Sequence, residues 1–463
     1  MAKLWGGRFS APTPKLMEEF NDSLSFDRRL WKEELEASDA YALALRDAGI
    51  YSGRELALVR AAFREIETEF VNERFAYKAE DEDIHTAIER RLVEKIGETG
   101  KKIHSGRSRN EQVTTDERIY LKKTTVGVIL LLKSLQKTAV RIASDTIDDI
   151  VPSYTHLQQA QLIRLGHYFM SLFFMIQDDK ERFVDVLKRI DILPLGSGAA
   201  AGSTLKLDRR ILKRELGFVA LSPNSVYGVS DRAFITEFLY AAAQTLVHLS
   251  RFAEDLIIWS SSEFRFIELN DMYSTGSSMM PQKKNPDSLE LIRGKASRAI
   301  ANLNSILILQ KGLPLTYSKD LQEDKEPLFD SVATLLISVK IFEGVISTLK
   351  VNRSNLLQRV DDSIYATDIA DYLTERGIPF RDAHKIVGKL VLLSLDKNEA
   401  LRDVELSKLR KLSAKFGDDY YDIFNPVKSV ERHDLYGGTS LKRVKEQISL
   451  AHKMMKEVRA SRR

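Results

Sequence analysis

Between Gly276 and Pro286 the chain reads GSSMMPQKKNP, which puts two serine hydroxyls and two lysine ammonium groups into one short stretch. Asn285 before Pro286, with Asp287 and Glu290 just beyond, predicts a helix start: an asparagine cap, proline at the first position and acids at the positive end. A loop feeding such an end offers backbone N–H groups and cationic side chains, which suit a substrate carboxylate. A capped helix with solvated lysines explains the same residues without any chemistry. Spacing alone leaves the two readings level.

Other chemistry-bearing residues are scattered. His156 lies in SYTHLQ, and a solitary histidine is more often structural than catalytic. His85 and Glu89 fall one helical turn apart, which predicts a surface i,i+4 pair. LGSGAAAG, from Leu195 to Gly202, has the wrong glycine spacing for a dinucleotide loop and no strand before it. GSSMMPQK lacks the second glycine and the hydroxyl residue of a P-loop. No HExxH or calcium-loop spacing occurs, so neither a metal nor an organic cofactor is expected.

The absence of cysteine excludes disulfides, thiolate metal sites and a catalytic thiol, and fits a reducing cytoplasm. Lys plus Arg at 70 nearly balances Asp plus Glu at 66, so the net charge of +4 supplies no field of the kind nucleic acid requires. The apolar runs Val126–Leu132 and Phe169–Ile176 fall well short of the roughly 20 residues that span a bilayer and read as core helix. MAKLWGGRF at the start carries no apolar export segment, and the basic stretch from His452 to Arg463 reads as a solvated helix end. The expectation is a cytoplasmic protein with no membrane or nucleic-acid partner.

The elements that must position these residues are long helices. From Gln112 to Asp149 no proline interrupts apolar positions at helical spacing, and Pro152 follows. Further long helices are predicted from about Leu162 to Ile190, from Ser230 to Ser262, from Pro286 onward and after Pro327. The stretch around Leu131 is apolar on every side, which predicts burial all round and packing against other subunits. Glycines break the shorter helices before Gln112, and segments shorten again after about Asp361. The predicted architecture is all-α with three domains: an N-terminal helical domain 1–106, a long central helix-bundle domain 107–360 and a C-terminal helical domain 361–463.

GSSMMPQKKNP resembles the active-site loop of the fumarase/aspartase superfamily, and its QKK before NP resembles the argininosuccinate lyase/delta-crystallin branch. The resemblance covers essentially the whole chain. It includes LWGGRF at Leu4, NDSLSFD at Asn21, EDIH at Glu82, HSGRSRN at His104, SYTHLQ at Ser153 and LPLGSGA at Leu193. VSDRAF at Val229, LPLTYSKDLQEDK at Leu313, ATDIADYL at Ala366 and GGTS at Gly437 continue the series. The chain departs from the family pattern at Glu111, Leu162, Tyr227 and Ala233, which bears on the geometry around Asn110 and Arg232.

This resemblance implies a bundle that associates into a homotetramer and an elimination that releases fumarate from a nitrogen leaving group. It implies Ser277 as the base, with Ser278 as the rival, and Lys283 and Asn285 as holders of the carboxylate whose charge grows. His156, paired with Glu290, would protonate the departing guanidinium nitrogen. Ser23, Asn110, Thr155, Tyr317, Gln322 and Lys325 would contact substrate, with Arg109 and Arg232 as weaker helpers. The alternatives are another fumarate-forming lyase, chiefly adenylosuccinate lyase, and an inactive structural homologue of the delta-crystallin kind.

Helix length adds a geometric expectation. A single helix from Gln112 to Asp149 is about 57 Å long. The residues leading from it to His156 return at most about 25 Å. One subunit then cannot bring Asn110 and His156 to one ligand, so active sites shared between subunits are expected.

Overall fold

The computed structural model describes residues 13–457; the LWGGRF motif and the last residues of the basic tail lie outside them. The elements that matter for the site are Trp31–Asp47 (α1), Ile84–Ile96 (α2) and Arg109–Asp145 (α3). A hairpin of Ile150–Thr155 (β1) and Gln158–Arg164 (β2) follows. Then come Leu165–Ile190 (α4), Ala233–Ser260 (α5), Asp287–Gln310 (α6) and Lys325–Thr348 (α7). The C-terminal elements are Ala366–Glu375 (α8), Phe380–Lys397 (α9), Pro426–Arg432 (α10) and Leu441–Glu457 (α11). The fold is predominantly α-helical, and among the described residues no helix is long and apolar enough to cross a membrane.

The long helices form where the sequence predicts them because their apolar positions recur at helical spacing without an interior breaker. In α4, Phe169, Met170, Phe173 and Ile176 are buried, then Phe183, Val186 and Ile190, which is one continuous stripe. Pro327 falls in the first turn of α7, where a missing N–H breaks no helical bond. The 37 residues of α3 start at Arg109, after Ser108, whose hydroxyl accepts the N–H of Asn110 at 3.3 Å. Burial along α3 is not complete within one chain, since Leu130 is 55% exposed.

The chain divides into two compact units. One comprises residues up to Leu130, Lys180–Thr245 and Lys295–Leu336; the other comprises Leu131–Asp179, Leu246–Gly294 and everything from Ile337 on. The core of the first unit includes Leu30, Tyr41, Ile88, Leu121, Phe234 and Leu328. In the second unit Ile369, Leu373, Leu390, Val404 and Phe424 form a C-terminal core that also takes in Ile150 and Leu162 from the hairpin.

Residues 150–164 are the main departure from the predicted elements. They form an antiparallel hairpin with Ile150 opposite Arg164 and Thr155 opposite Gln158, and α4 starts only at Leu165. Its turn, His156-Leu157, lacks the Asn-Gly or Asp-Gly composition that marks a two-residue hairpin turn in sequence. Two further sheets are two-stranded and two residues long: Ile192–Leu193 with Ala220–Leu221, and Ile267–Glu268 with Lys350–Val351.

Candidate active site

In the second unit the loop Gly276–Lys284 is pinched at its neck by a bridge between Thr275 and Asn285. The Thr275 N–H donates to the Asn285 carbonyl at 3.2 Å, and the Asn285 N–H donates back at 2.8 Å. Inside it, Ser277 Oγ accepts the N–H groups of Met279 and Met280 at 3.2 and 3.0 Å. Among the described residues Ser278 has no such donors. Lys284 is tied to Glu268 and Asp271 at 3.1 and 2.6 Å, while the Lys283 side chain makes no ion pair among the described residues.

The predicted cap at Asn285 needs correction. The Pro286 carbonyl accepts from Leu289 and Glu290, so Pro286 holds the cap position, and Asp287 opens α6. Asn285 serves the bridge instead, and its amide N–H donates to the Gly276 carbonyl at 3.4 Å. Closing the loop takes precedence over capping because the bridge uses both of its backbone groups. Leu289 is buried and Glu290 is exposed one position on.

Thr155 and His156 stand at the tip of the hairpin, and both are exposed. The turn residues His156 and Leu157 have φ of 54° and 56°, the left-handed pair that a type I′ turn requires. For L-residues this region costs about 1–2 kcal/mol each, so the tip is held by its base. There the Arg164 N–H donates to Thr439 Oγ1 at 2.8 Å, and its guanidinium reaches the Ile147 carbonyl at 2.9 Å and Glu431 at 2.5 Å. This gives the GGTS motif a structural role. A Cβ on Gly438 would lie 2.2 Å from the His433 carbonyl oxygen. Among the described residues no side-chain hydrogen bond or ion pair reaches His156, Lys283 or Glu290, so the histidine–glutamate pair does not form within this chain.

The first unit gathers the other predicted contacts. Ser23 Oγ donates to Asp27 at 2.6 Å, Asp27 also accepts the Ile84 N–H at 3.0 Å, and Gln322 donates to the Asn21 carbonyl at 3.3 Å. Burial raises the Asp27 carboxyl above its ordinary value. Asn110 sits in the first turn of α3. Arg109 beside it is held by Asp83, Thr86 and Gln112 at 3.0, 3.0 and 2.6 Å. Tyr317 follows Thr316, a β-branched residue at φ of 79°, and burial raises the Tyr317 hydroxyl.

Lys325 belongs to a buried quartet. Its ammonium lies 3.0 Å from both Glu117 and Asp324, while Arg232 lies 3.2 Å from Glu117 and 2.7 Å from Asp324. Burial alone would lower Lys325, yet Asp324 and Glu117 raise it, so the ammonium stays charged. Burial and then Asp324 push Glu117 up to about 7. Asp324 is held low against burial by Lys325 and Arg232. Arg232 is fully buried in this quartet, where it serves Glu117 and Asp324 as a counter-ion.

The lyase family pattern matches residues 7–301, and the argininosuccinate lyase C-terminal pattern matches residues 363–431. Argininosuccinate lyase from Carboxydothermus hydrogenoformans is 45% identical over 454 residues, covering 98% of this chain and 100% of that one. The enzyme of the same name from Symbiobacterium thermophilum is 46% identical over 456 residues, covering 98% and 99%. This chain belongs to the argininosuccinate lyase family.

Among solved structures, a variant of EDDS lyase with bound fumarate aligns with a TM-score of 0.85 at 27% identity, over 97% of this chain and 91% of its own. Class II fumarase from Schistosoma mansoni shares the fold at 16% identity, with a TM-score of 0.77 over 89% and 94%. The chain is therefore a lyase built on the fumarase/aspartase helical fold.

Several groups in this argininosuccinate lyase family member escape a linear reading. Asp27 and Asp324 lie inside quoted motifs, four residues after Ser23 and one before Lys325, but nothing in the spacing marks them as partners. Glu117 looks like an ordinary helix acid until α3 is packed. His85 and Glu89 are not a surface pair: both are buried, and they look to different neighbours. His85 Nδ1 lies 2.7 Å from Glu34 and 3.4 Å from Asp116, while Glu89 lies 3.4 Å from His104. Burial opposes the Glu34 charge, but His85, Arg107 and Ser38 together hold the carboxyl low; burial and Glu34 push Asp116 well up. Glu34, His85 and Asp116 come from α1, α2 and α3, and their ligand-type atoms lie within 4.8 Å of one another. The 2.7 Å contact is a charge-assisted hydrogen bond, and Arg107 lies 3.8 Å from Glu34, which favours an ion-pair network there.

Proposed function

We propose that the chain catalyses the reversible elimination of argininosuccinate to L-arginine and fumarate. Ser277 takes the proton from the carbon beside a carboxylate, and the electron pair is held as a dianionic aci-carboxylate. The C–N bond then opens, and His156 supplies a proton to the leaving guanidinium nitrogen. The observation that carries this is Ser277 Oγ accepting two loop N–H groups, an arrangement that favours a developing alkoxide. Lys283 and Asn285 hold the carboxylate whose charge grows, and Glu290 orients His156 once the two meet. Ser23, Asn110, Thr155, Tyr317, Gln322 and Lys325 bind the rest of a substrate that carries several carboxylates and a guanidinium.

We further propose a homotetramer whose sites are shared between subunits. Asn110 lies in the first turn of α3, which at 37 residues is about 55 Å long, and the hairpin follows α3 in the chain. His156, Lys283 and Glu290, which have no side-chain partner among the described residues, together with exposed Leu130, support completion of the site by another chain. A cytoplasmic location accords with the absence of cysteine. The test is fumarate formation from argininosuccinate, with adenylosuccinate as control. A well-folded tetramer that makes no fumarate from argininosuccinate would overturn the assignment.

A further inference from the structure

Glu111 is a departure from the family pattern, and its surroundings give it a specific task. The side chain is fully buried in the first turn of α3. One carboxylate oxygen, Oε1, accepts the Ser108 N–H at 3.1 Å, which is helix capping. The other, Oε2, accepts the N–H groups of Gly196 and Gly198 at 2.6 and 2.9 Å, far along the chain. Capping accounts for the first oxygen but not the second.

Gly196 and Gly198 have φ of 96° and 60°, so their two N–H groups converge on one carboxylate oxygen, while the Ser197 N–H between them donates to the Pro194 carbonyl at 3.0 Å. The glycine-rich stretch Leu195–Gly202 thus does grip an anion, and the anion is a side chain of the same protein. From the other side Arg209 donates to the carbonyls of Leu195 and Leu193 at 2.9 and 3.0 Å, so both faces of the turn are fixed. A Cβ on Gly198 would lie 2.8 Å from the Gly202 carbonyl oxygen, which leaves the turn no slack. Burial raises the Glu111 carboxyl, and the three N–H donors oppose that shift.

Asn110 is the residue immediately before Glu111. Its amide donates at 3.5 Å to the carbonyl of Ala199, which belongs to the same turn. The turn therefore meets the start of α3 at two adjacent residues, one anchored by charge and one aimed by it. An aspartate would be one methylene short of this reach, which gives a physical reason for glutamate at this position in this chain.

We propose that Glu111 is a positioning residue that, by binding the Gly196–Gly198 turn, sets where Asn110 presents its amide to argininosuccinate. This rests on the assignment of Asn110 as a substrate contact. Glu111 touches no substrate itself, and its effect reaches the reaction only through Asn110.

The test is a double-mutant cycle on the full-length enzyme with E111Q, E111D, N110A and the two doubles, reading KM and kcat separately. E111Q keeps one accepting oxygen but offers an NH2 where an N–H must be received. Losing hydrogen bonds to a charged acceptor should raise KM about ten-fold or more, with kcat within about three-fold of wild type. In the N110A background the same substitution should change KM by less than about two-fold. E111D keeps the charge and gives a milder version of the same pattern should E111Q fold poorly. Equal effects of the Glu111 substitutions in both backgrounds would overturn the role of Glu111 alone. An N110A enzyme with wild-type KM and kcat would overturn the assignment of Asn110, and this proposal with it.

Discussion

Replacing Ser277 by alanine separates the chemistry of the loop from its architecture. In the ground state Ser277 Oγ is a neutral acceptor of two N–H groups at 3.2 and 3.0 Å. A hydrogen bond gains about 1 kcal/mol when its acceptor becomes charged, so the pair favours the alkoxide by about 2 kcal/mol. This pulls the hydroxyl below its ordinary pKa. A serine needs far more than that near neutrality, so Lys283 and exclusion of water must supply the remainder. Ser277→Ala removes the proton acceptor altogether and should cost about three orders of magnitude in kcat, within the span of general-base effects. KM should stay within about three-fold, because the carboxylate contacts proposed for Lys283 and Asn285 do not depend on the serine hydroxyl. Stability should move by less than about 0.5 kcal/mol, since the loop is largely exposed and Met279 is 87% exposed. Ser278→Ala, lacking those donors, should keep kcat within about three-fold. Initial rates of fumarate appearance, with calorimetric binding of argininosuccinate to the inactive variant, decide the matter. A Ser277→Ala enzyme retaining a tenth of wild-type kcat, or a Ser278→Ala enzyme equally impaired, would remove Ser277 from the role of base.

Mixing subunits that carry His156→Asn with subunits that carry Ser277→Ala should restore part of the activity absent from either alone; verified mixed tetramers without recovery would exclude shared sites. Glu117 has a folded pKa of about 7 against 4.5 for the free side chain. The folded state therefore binds its proton more tightly, and its contribution to stability is fully present below about pH 4.5 and lost as pH rises to about 7. Glu117→Gln should flatten the fall in the unfolding free energy from urea titrations between pH 5 and 7.5 relative to wild type, by at most about 1.4 kcal/mol per pH unit; parallel curves would show that Glu117 does not titrate there. Leu157→Gly should stabilise the fold by up to about 1 kcal/mol, because it relieves φ of 56° at a side chain that is 73% exposed. A loss of 1 kcal/mol or more in urea unfolding would mean that Leu157 is packed in the assembled enzyme.

The composition and the helical spacing of apolar residues were sufficient for the all-α class and for the long helices, whose starts fall within about three residues of the predicted positions. Local backbone preference and one-sided burial act along the chain, so periodicity records them. The ordered motifs, with whole-chain resemblance, sufficed for the family. The hairpin at 150–164 was hidden because its turn is His156-Leu157, residues that take left-handed geometry only when a packed base compels them. Asn285 was misplaced as a cap because a bridge to Thr275, ten residues earlier, competes for its backbone.

The charged networks mark the limit most clearly. Asp27 with Ser23, Glu34 with His85, Glu117 with Lys325 and Glu111 with Gly196 and Gly198 are fully specified as residue types in the sequence, yet only their folded neighbours give them roles. The chain by itself dictated which helices form, which motifs they carry and hence the family. Burial and pairing of charges depend on distances across elements far apart in the chain, and a few ångströms there separate a solvated acid from a buried anchor. For the loop from Gly276 to Pro286, sequence located the residues, and folding aimed two N–H groups at Ser277 rather than at Ser278.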